Sequence, residues 1–73
     1  MSELPVVSGA EAIKAFGKAG FYEARQRGSH VVLKKDGHPT LLTIPVHDEL
    51  RAGTLRRSIR DSGLTVEQFC ALL

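Results

Sequence analysis

Residues 21–46, FYEARQRGSHVVLKKDGHPTLLTIPV, decide the fold. Short runs rich in β-branched and aromatic residues are separated by Gly28 and by Asp36-Gly37, a dipeptide strongly favoured in tight hairpins. This punctuation predicts a meander of three antiparallel strands, near Phe21 to Gln26, His30 to Lys35 and Thr40 to Val46. Pro45 lacks an amide donor, which places the end of the third strand at an edge or an exit. Period-2 alternation puts Val31 and Leu33 on one face, with Leu42 and Ile44 as companions across the hairpin. His30, Val32 and Lys34 then share the other face, with His30 turned away from the helices. A one-residue slip reverses the assignment, because Val31 and Val32 are both apolar.

Helical signals flank the strands. Ser8 and Glu11 have the S-x-x-E spacing of a capping box, in which each side chain satisfies an otherwise orphan backbone N–H. A helix is expected over roughly Gly9 to Ala19, with Ile13 and Phe16 as its buried stripe and Ala12 and Ala19 as small neighbours. Gly20 suits the left-handed residue that ends it, so that Phe21 folds back onto Phe16. Thr54 reads as the N-cap of a second helix, with Leu55 and Ile59 inward, Arg57 and Asp61 as an i,i+4 pair and Gly63 as terminator. Thr65 and Gln68 form another capping box, opening a short last helix whose Val66, Phe69, Cys70 and Leu73 fall at i, i+3, i+4 and i+7. The first few residues read as a loose arm. The fold class expected is α+β, with 1–73 as a single domain: helix, three-stranded antiparallel sheet, helix, short C-terminal helix.

At 73 residues the chain is near the lower limit for a core that folds without metal or disulfide support. No apolar run is long enough for a transmembrane helix, and residues 1–7 lack the basic and apolar regions of a secretory signal. The single cysteine, Cys70, allows no internal disulfide. A soluble protein of the reducing cytoplasm is expected. The net charge of +2 and a pI near 9.0 are compatible with a polyanionic partner without demanding one. Distribution is more informative. Arg25, Arg27, Lys34 and Lys35 surround His30, while Arg56, Arg57 and Arg60 share one short segment.

A histidine side chain ordinarily exchanges protons near neutral pH, so a solvent-reachable His30 suits general acid–base work. The bland alternative is a strand-opening residue hydrogen-bonded to its neighbours. Gly28 allows close backbone approach to a ligand, Ser29 offers a hydroxyl, and the flanking Arg25, Arg27, Lys34 and Lys35 can hold phosphates. Taken singly, each of those cations is a solvated surface charge. A histidine acting on a 2′-hydroxyl, beside a cation, can cleave RNA without metal. Thr54, Arg56 and Arg57 at a helix start form a candidate anion site, against which simple capping must be weighed. His47 lies where the chain leaves the sheet and can reach phosphate or the second helix, whereas His38 reads as a turn residue. The three histidines lack zinc-site spacing, so no metal or other cofactor is expected. Cys70 reads as a small core residue.

Several segments in order resemble the HicA family, the toxin half of HicA/HicB toxin–antitoxin pairs. They are the opening of the first helix at Ser8 to Glu11, AGF at Ala19 to Phe21, RQRGSH at Arg25 to His30, the Asp36-Gly37 turn, TIPVH at Thr43 to His47 and GTLRRSIRDSGLTVEQF at Gly53 to Phe69. The resemblance implies a double-stranded-RNA-binding-domain-like fold and metal-independent ribonuclease activity against messenger RNA. His30 matches the family's catalytic histidine, and the implied partner is a HicB-like antitoxin that covers its surroundings. Apolar Val32 and Leu41 on the open sheet face would enlarge such a partner-binding patch. Two other classes fit the same residues: a duplex RNA-binding module without chemistry, and a protein-docking domain.

Overall fold

The computed structural model describes residues 3–73. The elements run α1 (Gly9–Lys18), β1 (Tyr22–Arg27), β2 (His30–Lys34), β3 (Leu42–Pro45), α2 (Ala52–Ser62) and α3 (Val66–Cys70). The strands form one antiparallel sheet in the order β1-β2-β3. This is the α+β layout expected from the sequence. Both capping boxes are present: the Ser8 hydroxyl accepts from the Glu11 amide at 3.0 Å, and Thr65 does the same for Gln68 at 3.1 Å. Gly63, at φ 81°, ends α2 in the left-handed conformation.

The sheet register follows the apolar alternation. Val31 pairs with Ile44 and Leu33 with Leu42, and all four are essentially solvent-free. Against this face pack Ala12, Ala15 and Phe16 of α1, Leu55 and Ile59 of α2, and Phe69 of α3. Helices therefore cover one face of the sheet and leave the other open, the two-layer solution for a small domain. Phe16 lies at the centre, edge-on to Phe21 at 6.0 Å and tilted against Phe69 at 4.9 Å.

Several boundaries differ from the sequence expectation. Phe21 precedes β1 and is buried, its amide bonded to the Phe16 carbonyl at 3.1 Å. The tight hairpin joins β1 to β2 through Gly28-Ser29. Gly28 has φ 58° whereas Ser29 is not positive, the pattern of a type II′ turn that only glycine enters readily. Asp36-Gly37 does form a turn, with the His38 amide on the Lys35 carbonyl at 3.0 Å, but the chain makes a further excursion before β3 starts at Leu42. In α1 the buried residues are Gly9, Ala12, Ala15 and Phe16, and Ile13 is half-buried. Leu72 packs where Leu73 was expected, leaving Leu73 half exposed.

α2 begins at Ala52 and its N-cap is Arg51, so Thr54 lies inside the first turn rather than capping it. The reason lies upstream. Leu50 is buried and its amide bonds the Val7 carbonyl at 2.8 Å, which fixes where the chain turns into the helix. The same contact ties down the leading segment, where Val7 is buried and Leu4 packs on the core. The expected loose arm is therefore not found from Leu4 onward, and Met1 and Ser2 lie outside the described residues.

Gly9 makes the closest backbone approach. Its amide donates to the His47 carbonyl at 2.8 Å, and a Cβ there would run into the Pro45 carbonyl and the Val46 Cα. Alanine normally stabilises a helix over glycine by about 0.5–1 kcal/mol. Gly9→Ala is expected to reverse that sign and cost about 1–3 kcal/mol through overpacking. In a thermal melt, Tm should fall by several degrees; a rise would show that α1 is free to move off the end of β3.

Candidate active site at the His30 cleft

His30 opens β2 directly after the Gly28-Ser29 turn, and three features fix its place. The turn is closed by the Gln26 side-chain amide, which donates to the Gly28 carbonyl at 3.0 Å. The Ser29 carbonyl accepts the Val46 amide at 2.6 Å, tying the turn to the end of β3. His30 itself lies opposite Pro45 on one side and Arg27 on the other. Its ring is exposed and makes no hydrogen bond among the described residues.

Cross-strand partners share a face. Arg27 therefore stands beside His30, and Arg25, opposite Val32, stands beside the next rung. An irregularity between Glu23 and Arg25 produces this arrangement. Continued from Tyr22 opposite Lys34 without the extra residue, the register would put Arg25 opposite Val31 on the buried face. The bulge at Ala24 re-aims both arginines outward, a common use of bulges near functional sites. Lys34 lies on the same open face. Arg25, Arg27 and Lys34 are exposed and make no ion pair among the described residues.

His30 also lines a cleft of about 440 Å³. Its sheet wall is His30, Leu41, Thr43 and Pro45; its other wall is Thr54, Arg57, Ser58 and Asp61 of α2. The expectation that His30 faces away from the helices thus needs correction. His30 is on the open sheet face, but α2 flanks the edge strand β3 and its polar stripe closes the far side. Arg57 Nε lies 3.8 Å from Asp61 Oδ2, and Arg60 Nε is 3.8 Å from Oδ1 of the same carboxylate. The Ser58 hydroxyl donates to the Thr54 carbonyl at 3.0 Å.

The remaining candidates lie elsewhere. Lys35 alternates onto the opposite face, its ammonium 5.7 Å from the centroid of the Phe21 ring. Arg56 is exposed on α2 but does not line the cleft. His47 is exposed and also outside it; its backbone holds the start of α1. The α2 amides ahead of Leu55 carry no side-chain cap, while the Leu55 amide itself is bonded to Arg51. His38 is more than a turn residue: its Nε2–H donates to the Asp61 carbonyl at 2.7 Å and its ring packs edge-on to Phe21. Among the described residues, no group of three or more His, Cys, Asp or Glu side chains could hold a metal ion.

Sequence reasoning did not assign Leu41, Thr43, Pro45, Ser58 or Asp61 to the site. The signal for the helical part was the 54, 57, 58, 61 spacing, an i, i+3, i+4, i+7 polar stripe alongside the buried Leu55 and Ile59.

No curated protein matches the sequence. The family model described as "HicA toxin of bacterial toxin-antitoxin" matches residues 9–64, from the first residue of α1 to just past the end of α2. The sheet, the His30 turn and both walls of the cleft all fall within this span, and on that match the chain belongs to the HicA toxin family.

Proposed function

We propose that this toxin, as one domain over residues 1–73, is a cytoplasmic endoribonuclease that cleaves messenger RNA by metal-independent acid–base chemistry at His30. The observation that carries the proposal is an exposed imidazole in a cleft, beside cations on one sheet face, with neither the ring hydrogen-bonded nor the cations ion-paired among the described residues. A general base must be reachable and unengaged, and His30 meets both conditions. Arg25, Arg27 and Lys34 hold the RNA backbone, the Gly28-Ser29 turn lets it approach, and Thr54 lines the cleft from α2. Arg56, Lys35 and His47 stand away from the reacting group, and the charges of Arg56 and Lys35 contribute to longer-range attraction.

In the step proposed, His30 takes the proton of a 2′-hydroxyl. The 2′-oxygen attacks the adjacent phosphorus, the bond to the 5′-oxygen breaks, and that oxygen takes up a proton from solvent. The products are a 2′,3′-cyclic phosphate and a 5′-hydroxyl. A HicB-like antitoxin would block the reaction by covering the cleft, with half-exposed Leu41 at its rim as an apolar anchor. A duplex-binding module without chemistry would use the same cations, but it gives no role to the free imidazole.

End analysis of cleaved RNA checks this chemistry. In the presence of a chelator, fragments should carry cyclic phosphate and 5′-hydroxyl ends, and a single 2′-deoxy substitution at the cut position should stop cleavage there. Fragments with 5′-phosphate ends would contradict a 2′-hydroxyl nucleophile.

A further inference from the structure

We propose that Arg57, presented by α2, is the cation that neutralises the scissile phosphate, and that Asp61 positions it. This inference rests on the RNA-cleaving reading of the cleft and assigns its second wall. Of the arginines near His30, Arg57 alone lines the cleft; Arg25 and Arg27 share the open face of the sheet but lie outside the cavity. A phosphate at the imidazole would therefore have its far side toward α2.

The way Arg57 is held supports the role. Asp61 Oδ2 lies 3.8 Å from its Nε, and the two terminal guanidinium nitrogens have no hydrogen-bond partner among the described residues. That planar pair matches two phosphoryl oxygens, which a lysine ammonium cannot do. Asp61 is itself anchored: its carboxylate is also near Arg60 at 3.8 Å, and its carbonyl accepts the His38 Nε2–H at 2.7 Å. The Ser58 hydroxyl is already engaged with the Thr54 carbonyl, so Arg57 is the charged donor left to the cleft on this stripe. As the 2′-oxygen bonds to phosphorus, negative charge grows on the two non-bridging oxygens. A guanidinium there acts on the transition state more than on the bound substrate.

The division of labour is therefore testable. Arg57 governs turnover, while the β1 arginines govern binding. With a short fluorescent single-stranded RNA, Arg57→Ala should lower kcat by about 10²–10³-fold, the loss typical of removing one such donor. KM should change by less than about threefold, and binding of the all-2′-deoxy version of the oligonucleotide should be nearly unchanged. Arg57→Lys should recover only a minor part of kcat, and Asp61→Asn should lower kcat while Asp61→Glu restores it. The double replacement Arg25→Ala with Arg27→Ala should act mainly by raising KM. The Arg57 side chain is 77% exposed, so a thermal melt should show these effects without unfolding.

If Arg57→Ala weakens deoxy-oligonucleotide binding and leaves kcat intact, the inference is overturned while the proposed function stands. If the wild-type protein cuts no RNA, or a His30 variant cuts as well as wild type, the function falls and this assignment falls with it.

Discussion

Replacing His30 by alanine is expected to slow RNA cleavage by about 10²–10⁴-fold, the range that a positioned proton-transfer group contributes. The fold should be untouched. The ring is exposed, bonds nothing among the described residues and fills no core space, and a surface change of this kind normally alters stability by less than about 0.5 kcal/mol. RNA binding should also persist, since Arg25, Arg27 and Lys34 remain on the same face. In cells, the variant should no longer arrest growth when produced without its antitoxin. A protein-docking or duplex-binding domain predicts something different: no cleavage to lose, and a binding surface barely altered by one imidazole.

Phe69→Ala should have the largest effect on stability. Phe69 is fully buried, and its ring sits 4.9 Å from that of Phe16, which in turn meets Phe21 at 6.0 Å. Truncating a buried phenylalanine costs about 3–5 kcal/mol through lost transfer energy and an unfilled cavity. A core this small rarely supplies more than about 3–5 kcal/mol in total. The variant should therefore be substantially unfolded at 25 °C, measured as the loss of a cooperative denaturant transition by circular dichroism. Phe69→Leu, closer in volume, should retain the transition at a lower midpoint. A near wild-type midpoint for the alanine variant would mean that α3 is dispensable. That outcome bears on the family, because Phe69 lies beyond residues 9–64, the span matched by the HicA model, yet it completes the core that those residues build.

The parts of the fold legible in sequence are those fixed by local chemistry. Ser8 with Glu11 and Thr65 with Gln68 are three residues apart, so the chain itself brings each pair together. Val31, Leu33, Leu42 and Ile44 specify their own register, because a one-residue slip would expose all four. What sequence did not reveal depends on distant partners. Thr54 looks like a cap, but the burial of Leu50 and its bond to Val7 start the helix two residues earlier than Thr54. Lys35 follows Lys34 in sequence, yet alternation sends it to the opposite face and onto Phe21. The turn residue His38 reaches the end of α2, 23 positions away from its carbonyl acceptor at Asp61. The cleft joins residues from β2, β3 and α2, so neither its existence nor the place of Asp61 in it could be read from any one segment. The bulge at Ala24 was equally silent, although it is what turns Arg25 and Arg27 toward His30.

The most direct test supplies the missing group from solution. The His30→Ala protein, purified without antitoxin and held in chelator, is given single-stranded RNA and increasing concentrations of free imidazole. Cleavage at the wild-type positions should return in proportion to imidazole, because the cleft and its cations remain in place and lack only the proton acceptor. Cleavage by the alanine variant at the wild-type rate with no imidazole present would contradict a catalytic role for His30.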